Sequence, residues 1–190
     1  MHRSFIFLAE GFEEIEALTV VDVMRRAGMD IKTVSITSDR QVVGAHGIPV
    51  VADLTFKEAD FGGSEWLILP GGMPGSTNLA ADEALCDLLK VHKGKLAAIC
   101  AAPGVVLAPL GLLEGKEATC YPGFEAACKE GGATMRDVPV VATGDLVTGN
   151  GPSAALRFAL AIVSTSLGQT VAQDTGSAML FYPKTMNFFF

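Results

Sequence analysis

Cysteine, histidine and glutamate supply the groups in this chain that could form or break a covalent bond, and one cysteine is set apart by its neighbours. Cys100 follows the small apolar run Leu96-Ala97-Ala98-Ile99 and precedes Ala101-Ala102-Pro103-Gly104. The first stretch reads as a buried strand. The second reads as an abrupt helix start, with Pro103 in a first-turn position where its missing N–H costs nothing. A sulfur on such a corner, a nucleophile elbow, projects from the sheet edge and meets unpaired helix N–H groups that favour thiolate. The chemistry open to it is addition to an electrophilic carbon, or its own oxidation. An inert thiol filling a strand end is the plainer alternative.

Glu16 is the candidate proton carrier. It heads the row Glu16, Val20, Val23 and Ala27, spaced four, three and four, which is one buried helix face. A carboxyl on that face loses water, its pKa rises, and it can exchange protons near neutrality. A charge edging the apolar stripe is the competing reading. Glu13 and Glu14 need no more than the helix dipole to explain them, and Asp22 and Arg26 read as an exposed ion pair.

The other cysteines, at 86, 120 and 128, form no Cys-x-x-Cys pair and have no histidine cluster beside them, so no metal site is expected. Histidines occur only at 2, 46 and 92. His46 falls at the tip of a hairpin over Gln41 to Ala52, where a surface role is the default, and His92, between Lys90 and Lys93, reads as solvated.

The elements that must position these groups run in order along the chain. Arg3 to Ala9 is a strand, then a helix ends at Gly28, and Ile31 to Thr37 is a second strand. Trp66 to Leu69 is a buried strand closed by Pro70-Gly71-Gly72-Met73-Pro74-Gly75, whose glycines let backbone N–H groups approach a ligand closely. No Gly-Lys-Ser/Thr follows and no G-x-G-x-x-G trails the first strand, so an oxyanion site suits this loop better than a phosphate cradle, and no cofactor is expected. Leu79 to Val91 reads as one helix that packs Cys86. Beyond Cys100 come a short strand at Ala118 to Cys120, the turn Tyr121-Pro122-Gly123, a helix from Phe124 to Glu130, a hairpin pairing Val138–Ala142 with Leu146–Thr148, and a last long helix through Ser166. An apolar tail from Met179, with Phe181, Tyr182 and Phe188 to Phe190, is expected to dock on the body or on a second subunit.

This alternation predicts a single α/β domain over residues 1–190 with a mostly parallel sheet and helices on both faces, ligands binding at the carboxyl ends of the strands. Composition agrees, with 49% apolar residues, 7% aromatic residues and 21 glycines. A net charge of −7 argues against nucleic acid and anionic membrane partners. No apolar run reaches spanning length and Met1 to Leu8 enter a strand directly, which makes a cytoplasmic location the expectation.

Four segments, Ala9-Glu-Gly-Phe-Glu-Glu-Ile-Glu16, Val21-Asp-Val-Met-Arg-Arg-Ala-Gly28, Leu69-Pro-Gly-Gly72 and Ala98-Ile-Cys-Ala-Ala-Pro103, resemble in order and spacing the ThiJ/PfpI superfamily. The resemblance is to the branch containing the parkinsonism-associated protein deglycase and its bacterial relatives, and it covers nearly the whole chain. It implies a flavodoxin-like three-layer sandwich, class I glutamine amidotransferase-like. Cys100 matches the reactive cysteine, Glu16 the carboxyl hydrogen-bonded to it, and Gly71, Gly72 and the N–H of Ala101 the oxyanion region. It also implies a homodimer in which the hairpin carrying His46 approaches the partner's site. The chain departs from the pattern at Tyr121-Pro122, where many members carry histidine before proline. A Cys–His pair in that arrangement is missing, which counts against peptidase activity. Tyr121 donates a hydrogen bond but is a poor base.

The leading functional expectation is a cysteine enzyme of glyoxalase or deglycase type. Its partner is a small carbonyl compound or glycated adduct, captured as a hemithioacetal on Cys100 with Glu16 moving protons. The alternatives are a redox-sensing or protective thiol, a PfpI-type peptidase, and a flavodoxin-like binder using Ser76, Thr77 and Asn78. Spacing alone also leaves open a disulfide between Cys100 and Cys120.

Overall fold

Side-chain alternation along the first strand sets the layers. In β1 (Ser4–Leu8), Phe5 and Phe7 face one core while Ile6 and Leu8 face the other, and all four are fully buried. The computed structural model describes residues 3–181. After β1 come α1 (Glu14–Arg26), β2 (Ile31–Ser35), the hairpin β3 (Gln41–Val43) and β4 (Pro49–Val51), and β5 (Leu54–Thr55). Next are β6 (Trp66–Leu69), α2 (Gly75–Ala81), α3 (Glu83–Val91) and β7 (Lys95–Ile99). The remainder is β8 (Glu117–Ala118), α4 (Glu125–Glu130), β9 (Thr134–Met135), β10 (Val140–Thr143), β11 (Leu146–Gly149), α5 (Ala155–Leu167) and α6 (Gln169–Ala178).

Seven strands form the central sheet in the order β10-β11-β7-β6-β1-β2-β5. Every neighbouring pair is parallel except β10 with β11. The core containing Val20, Val23 and Met24 of α1 and Phe158 and Ile162 of α5 covers one face, and the core containing Leu79, Leu85, Leu89 and Val106 covers the other. The result is the three-layer α/β sandwich expected from alternation.

The departures have local causes. The segment expected as one helix from Leu79 to Val91 breaks at Asp82, whose extended backbone and carboxylate cap α3 by accepting the Leu85 N–H at 2.8 Å. The last helix ends at Leu167 because Gly168 adopts φ +89°, and α6, whose polar sequence carries little apolar periodicity, succeeds it without a sequence signal. Edge strand β5 is two residues long, too short for alternation to mark. His92 is half-buried rather than solvated, because its ring packs against the backbone at Gly94, and burial lowers its pKa. Of the tail, Phe181 lies under the Arg157 guanidinium of α5 at 6.0 Å, while Tyr182 and Phe188 to Phe190 fall outside the described residues. Among the described residues no helix is long and apolar enough to cross a membrane.

Candidate active site

Strands β7, β6 and β1 are adjacent and parallel, so their carboxyl ends open side by side. Cys100 comes directly after β7, Gly71-Gly72 come after β6, and the turn from Glu10 to Glu13 leads from β1 into α1. Register alone therefore brings together three segments far apart in sequence.

Cys100 adopts φ +65°, a left-handed conformation that costs an L-residue roughly 1–3 kcal/mol and persists only where neighbours over-determine it. Here they do. The Cys100 N–H donates to Gly149 O at 2.9 Å and its carbonyl accepts the Tyr121 N–H at 2.8 Å, so both flanking loops hold the bend. The chain then enters a π-helical turn over Pro103–Leu107 rather than a regular α-helix. The cysteine is 8% exposed, and the Gly72 and Ala101 N–H groups donate toward its sulfur.

Glu16 is wholly buried on the inner face of α1. Its Oε2 accepts the Gly71 N–H at 2.7 Å, whereas Oε1 has no nitrogen or oxygen partner. A methyl group added at Gly71 would lie 2.7 Å from Glu16 Oε2 and 2.9 Å from Cys100 Sγ. Glycine is thus required there, and carboxyl and sulfur meet, hydrogen-bonded, at one backbone position. The Gly71 N–H is taken by Glu16, which leaves Gly72 and Ala101 as the donors beside the sulfur.

Electrostatics at this meeting point correct one expectation. Burial pushes Glu16 up to about 7, against the pull of the Gly71 N–H. Burial, together with the negative charge of Glu16, pushes the Cys100 thiol up to about 12 despite the Gly72 and Ala101 N–H groups. Small-residue spacing suggested a thiolate held by a helix N-terminus. Instead, removal from water outweighs the backbone donors, and near neutrality the proton rests on sulfur while the carboxyl is the group that titrates.

The segment before α1 does more than complement a dipole. Glu13 caps the helix by accepting the Glu16 N–H at 2.7 Å, and its own N–H donates to Gly71 O at 2.9 Å, tying the glycine loop to the helix start. Glu14 grips the β3–β4 hairpin, accepting the His46 backbone N–H on Oε1 and meeting His46 Nδ1 with Oε2, both at 2.7 Å. Burial would raise the Glu14 pKa, but the bonds from His46 outweigh it and hold it low, while the hydrogen bond to Glu14 raises His46. Neither the tie from Glu13 to Gly71 nor the grip of Glu14 on His46 is visible in the sequence, since contacts with residues thirty or more positions away leave no local pattern.

A cavity of about 500 Å³ lies over these groups, lined in part by Glu14, Ile15, His46, Cys100, Tyr121 and Pro152. His46 therefore reaches the Cys100 cavity within one chain. Glu13, Glu14 and His46 also place one ligand-capable atom each within 4.8 Å of one another. They could hold a cation only by giving up bonds, because both Glu14 oxygens are engaged by His46 and one Glu13 oxygen by the Glu16 N–H. The Cys120 thiol hydrogen-bonds Cys128 rather than Cys100, and that bond together with burial raises its pKa. Cys86 packs in α3 with its thiol donating to Ala80 O at 3.4 Å.

The sequence profile of the DJ-1/PfpI family matches residues 2–165. The chain belongs to the DJ-1/PfpI family. It is 34% identical over 179 residues to protein DJ-1 homolog A of Arabidopsis thaliana, a match covering 93% of this chain and 46% of the relative. The chain thus spans a little under half the length of that plant protein. It is 35% identical over 162 residues to a glutathione-independent glyoxalase of Caenorhabditis elegans, covering 84% of this chain and 85% of the worm protein. Among solved structures it superposes with TM-score 0.90 on a cysteine-to-alanine variant of a DJ-1 superfamily protein from Salmonella typhimurium. That protein is 33% identical, and the match covers 96% of this chain and all of the other. The fold is the flavodoxin-like, class I amidotransferase-like sandwich of these DJ-1/PfpI proteins.

Proposed function

We propose that this protein is a cysteine-dependent enzyme acting on reactive carbonyl compounds, of glyoxalase or deglycase type, with Cys100 as nucleophile and Glu16 as proton carrier. One observation carries the reading: a fully buried carboxyl titrating near neutrality meets a cysteine sulfur at the wall of a cavity of about 500 Å³. A thiol held near 12 needs a base to become nucleophilic, and a carboxylate near 7 in contact with it is matched to that task. Glu16 takes the thiol proton as sulfur adds to the aldehyde carbon of an α-oxoaldehyde such as methylglyoxal, giving a hemithioacetal. The Gly72 and Ala101 N–H groups supply positive field where the oxyanion develops. A proton then leaves the former aldehyde carbon and one is delivered to the neighbouring carbonyl carbon, which yields a thioester that water hydrolyses to lactate and free thiol. One carbon is oxidised and its neighbour reduced, so the sequence consumes only water. The likeness to the worm glyoxalase supports this substrate class. The cavity is several times larger than a triose carbonyl, leaving room for the same group carried as an adduct on a protein or nucleotide.

Lactate formation from methylglyoxal by purified protein tests the reading, and Cys100→Ala is expected to abolish it. Protein that forms no lactate while its Cys100 remains alkylatable overturns it. A second reading, a redox-sensing thiol, is favoured by the paired N–H groups beside the sulfur, which could hold sulfinate oxygens. Peroxide titration with intact-mass analysis separates the two, since selective Cys100 oxidation without carbonyl turnover supports sensing. Peptidase chemistry ranks lower because Tyr121, not histidine, stands beside the cavity at that turn. Exposed Ile15 and Leu18 on α1 and Ile48 and Val51 on the hairpin support assembly as a homodimer, which light scattering of the purified protein tests.

A further inference from the structure

Glu16 carries a single proton, and in the carbonyl reaction it holds the thiol proton from sulfur addition until the neighbouring carbon takes it up. It is wholly enclosed, one oxygen is tied to the Gly71 N–H, and the carboxyl faces the sulfur. The proposed conversion nevertheless needs protons at two sites: the oxygen that becomes an alkoxide when sulfur adds, and the carbon that loses its hydrogen afterwards. The cavity contains a second titratable pair built for such work. Glu14, buried on α1, holds His46 by two bonds, one to its backbone N–H and one to Nδ1, and there is no space at Gly44 for a side chain that would displace the carboxylate. With Nδ1 occupied, Nε2 is the free nitrogen of a ring whose side chain is 69% exposed at the cavity wall. This is the arrangement by which a carboxylate fixes the tautomer of a proton-transferring histidine.

We infer that His46, oriented by Glu14, is the second proton carrier of the carbonyl reaction, exchanging protons through Nε2 with the substrate oxygen and carbon that the enclosed Glu16 does not serve. The inference rests on the carbonyl reading above. The imidazolium donates its Nε2 proton to the alkoxide formed as sulfur adds, and the neutral ring then takes the proton that leaves the same carbon. Glu16 returns the thiol-derived proton to the neighbouring carbon, and the hydroxyl proton passes to the oxygen beside it. Thioester, carboxylate and imidazolium remain, and hydrolysis by water restores the thiol. Glu14 is a positioning residue in this scheme. Facing His46 are Glu14 from α1 and Glu13 from the cap before it, with Cys100 and Tyr121 on other walls of the cavity.

The scheme requires a two-limbed pH profile. Activity rises as Glu16 ionises through about 7 and falls as His46 loses its proton, at a pH set by its bond to Glu14. The test is lactate formation from methylglyoxal between about pH 5.5 and 9 by wild type, His46→Gln and Glu14→Gln, with iodoacetamide alkylation of Cys100 followed in parallel. His46→Gln is expected to lower kcat by about a hundredfold and erase the alkaline limb while the alkylation profile persists. Glu14→Gln is expected to move that limb to lower pH, because the charge that favours imidazolium is gone. In wild type, His46 ring resonances should titrate together with the limb, a readout that holds even where a variant folds poorly. An alkaline limb retained in His46→Gln, unmoved in Glu14→Gln, or detached from the ring titration overturns the role of His46 while the carbonyl reading survives. Wild-type protein that alkylates but forms no lactate overturns both.

Discussion

The two ends of the strands β1, β6 and β7 both take polar groups out of water, partly at the amino ends and almost wholly at the carboxyl ends, and resolve them differently. At the amino ends, Lys95 Nζ meets Glu65 Oε1 at 3.0 Å, and Ser166 Oγ donates to the same oxygen at 2.6 Å. Ser166 in turn accepts the buried Trp66 Nε1–H at 2.7 Å, and the Lys95 ammonium sits 5.4 Å from the Trp66 ring centre. Opposite charges cancel there and the Trp66 and Ser166 donors find acceptors, although the buried Ser4 hydroxyl at the start of β1 has no partner. At the carboxyl ends, a carboxyl and a thiol meet in a desolvated pocket where neither pairs with a lysine or arginine among the described residues, one carboxyl oxygen lacks a nitrogen or oxygen partner, and the cysteine backbone lies at positive φ. A paired cluster holds its charges fixed, whereas an unpaired one places a carboxyl pKa at the pH where a proton can move.

Gly71→Ala should break this contrast most severely. Its methyl group would occupy the space where Glu16 Oε2 and Cys100 Sγ meet, so carbonyl turnover should fall by more than about a hundredfold, as measured by lactate release from a variant shown to be folded by circular dichroism. Glu16→Gln separates the two costs of the unpaired pocket. Its folded pKa lies above its ordinary 4.5, so the ionised carboxyl destabilises the fold. Wild-type stability therefore declines as pH rises from about 4.5 to 7 and stays lowered above that. Glutamine still offers Gly71 an acceptor, and the displacement from 4.5 to about 7 corresponds to roughly 3 kcal/mol gained above neutral pH, readable by urea unfolding at pH 8. Turnover should fall at the same time. Cys100 alkylation should move to lower pH, since a negative charge that raised the thiol has been removed. A variant that is no more stable than wild type at pH 8 contradicts the burial of an ionised carboxyl. Ser166→Ala, at the other end, leaves Trp66 Nε1 without its acceptor and should cost about 1–2 kcal/mol of stability. The rate of Cys100 alkylation should not change, and if it does, the two ends are not independent.

Much of this arrangement is legible in residue order. Runs of Phe, Ile, Leu and Ala alternating with helical stripes mark β1, α1, β6 and β7, because burial on both faces of a parallel sheet demands continuous apolar strands. The Glu16-Val20-Val23 row marks the inward face of α1, and the glycines after β6 mark a close approach of backbone. Boundaries are lost where a single residue decides them, as at Asp82 and Gly168. Glu14 carries no signal because it is ordinary among its neighbours, and the family resemblance directed the His46 hairpin to a partner's site rather than to Glu14 of the same chain. Their bond spans the turn between β1 and α1 and the tip of a hairpin, a relation without any local pattern.

Residue order alone establishes that a cysteine stands on a strand-to-helix bend and that a glutamate lies on the buried stripe of the first helix, since both come from local periodicity and small-residue spacing. The protonation state of that pair came from packing. Parallel register brought the carboxyl and sulfur to the same point beside Gly71, and the water excluded there, together with the Glu16 charge beside the sulfur, placed the proton on sulfur and left the carboxyl to titrate near neutrality.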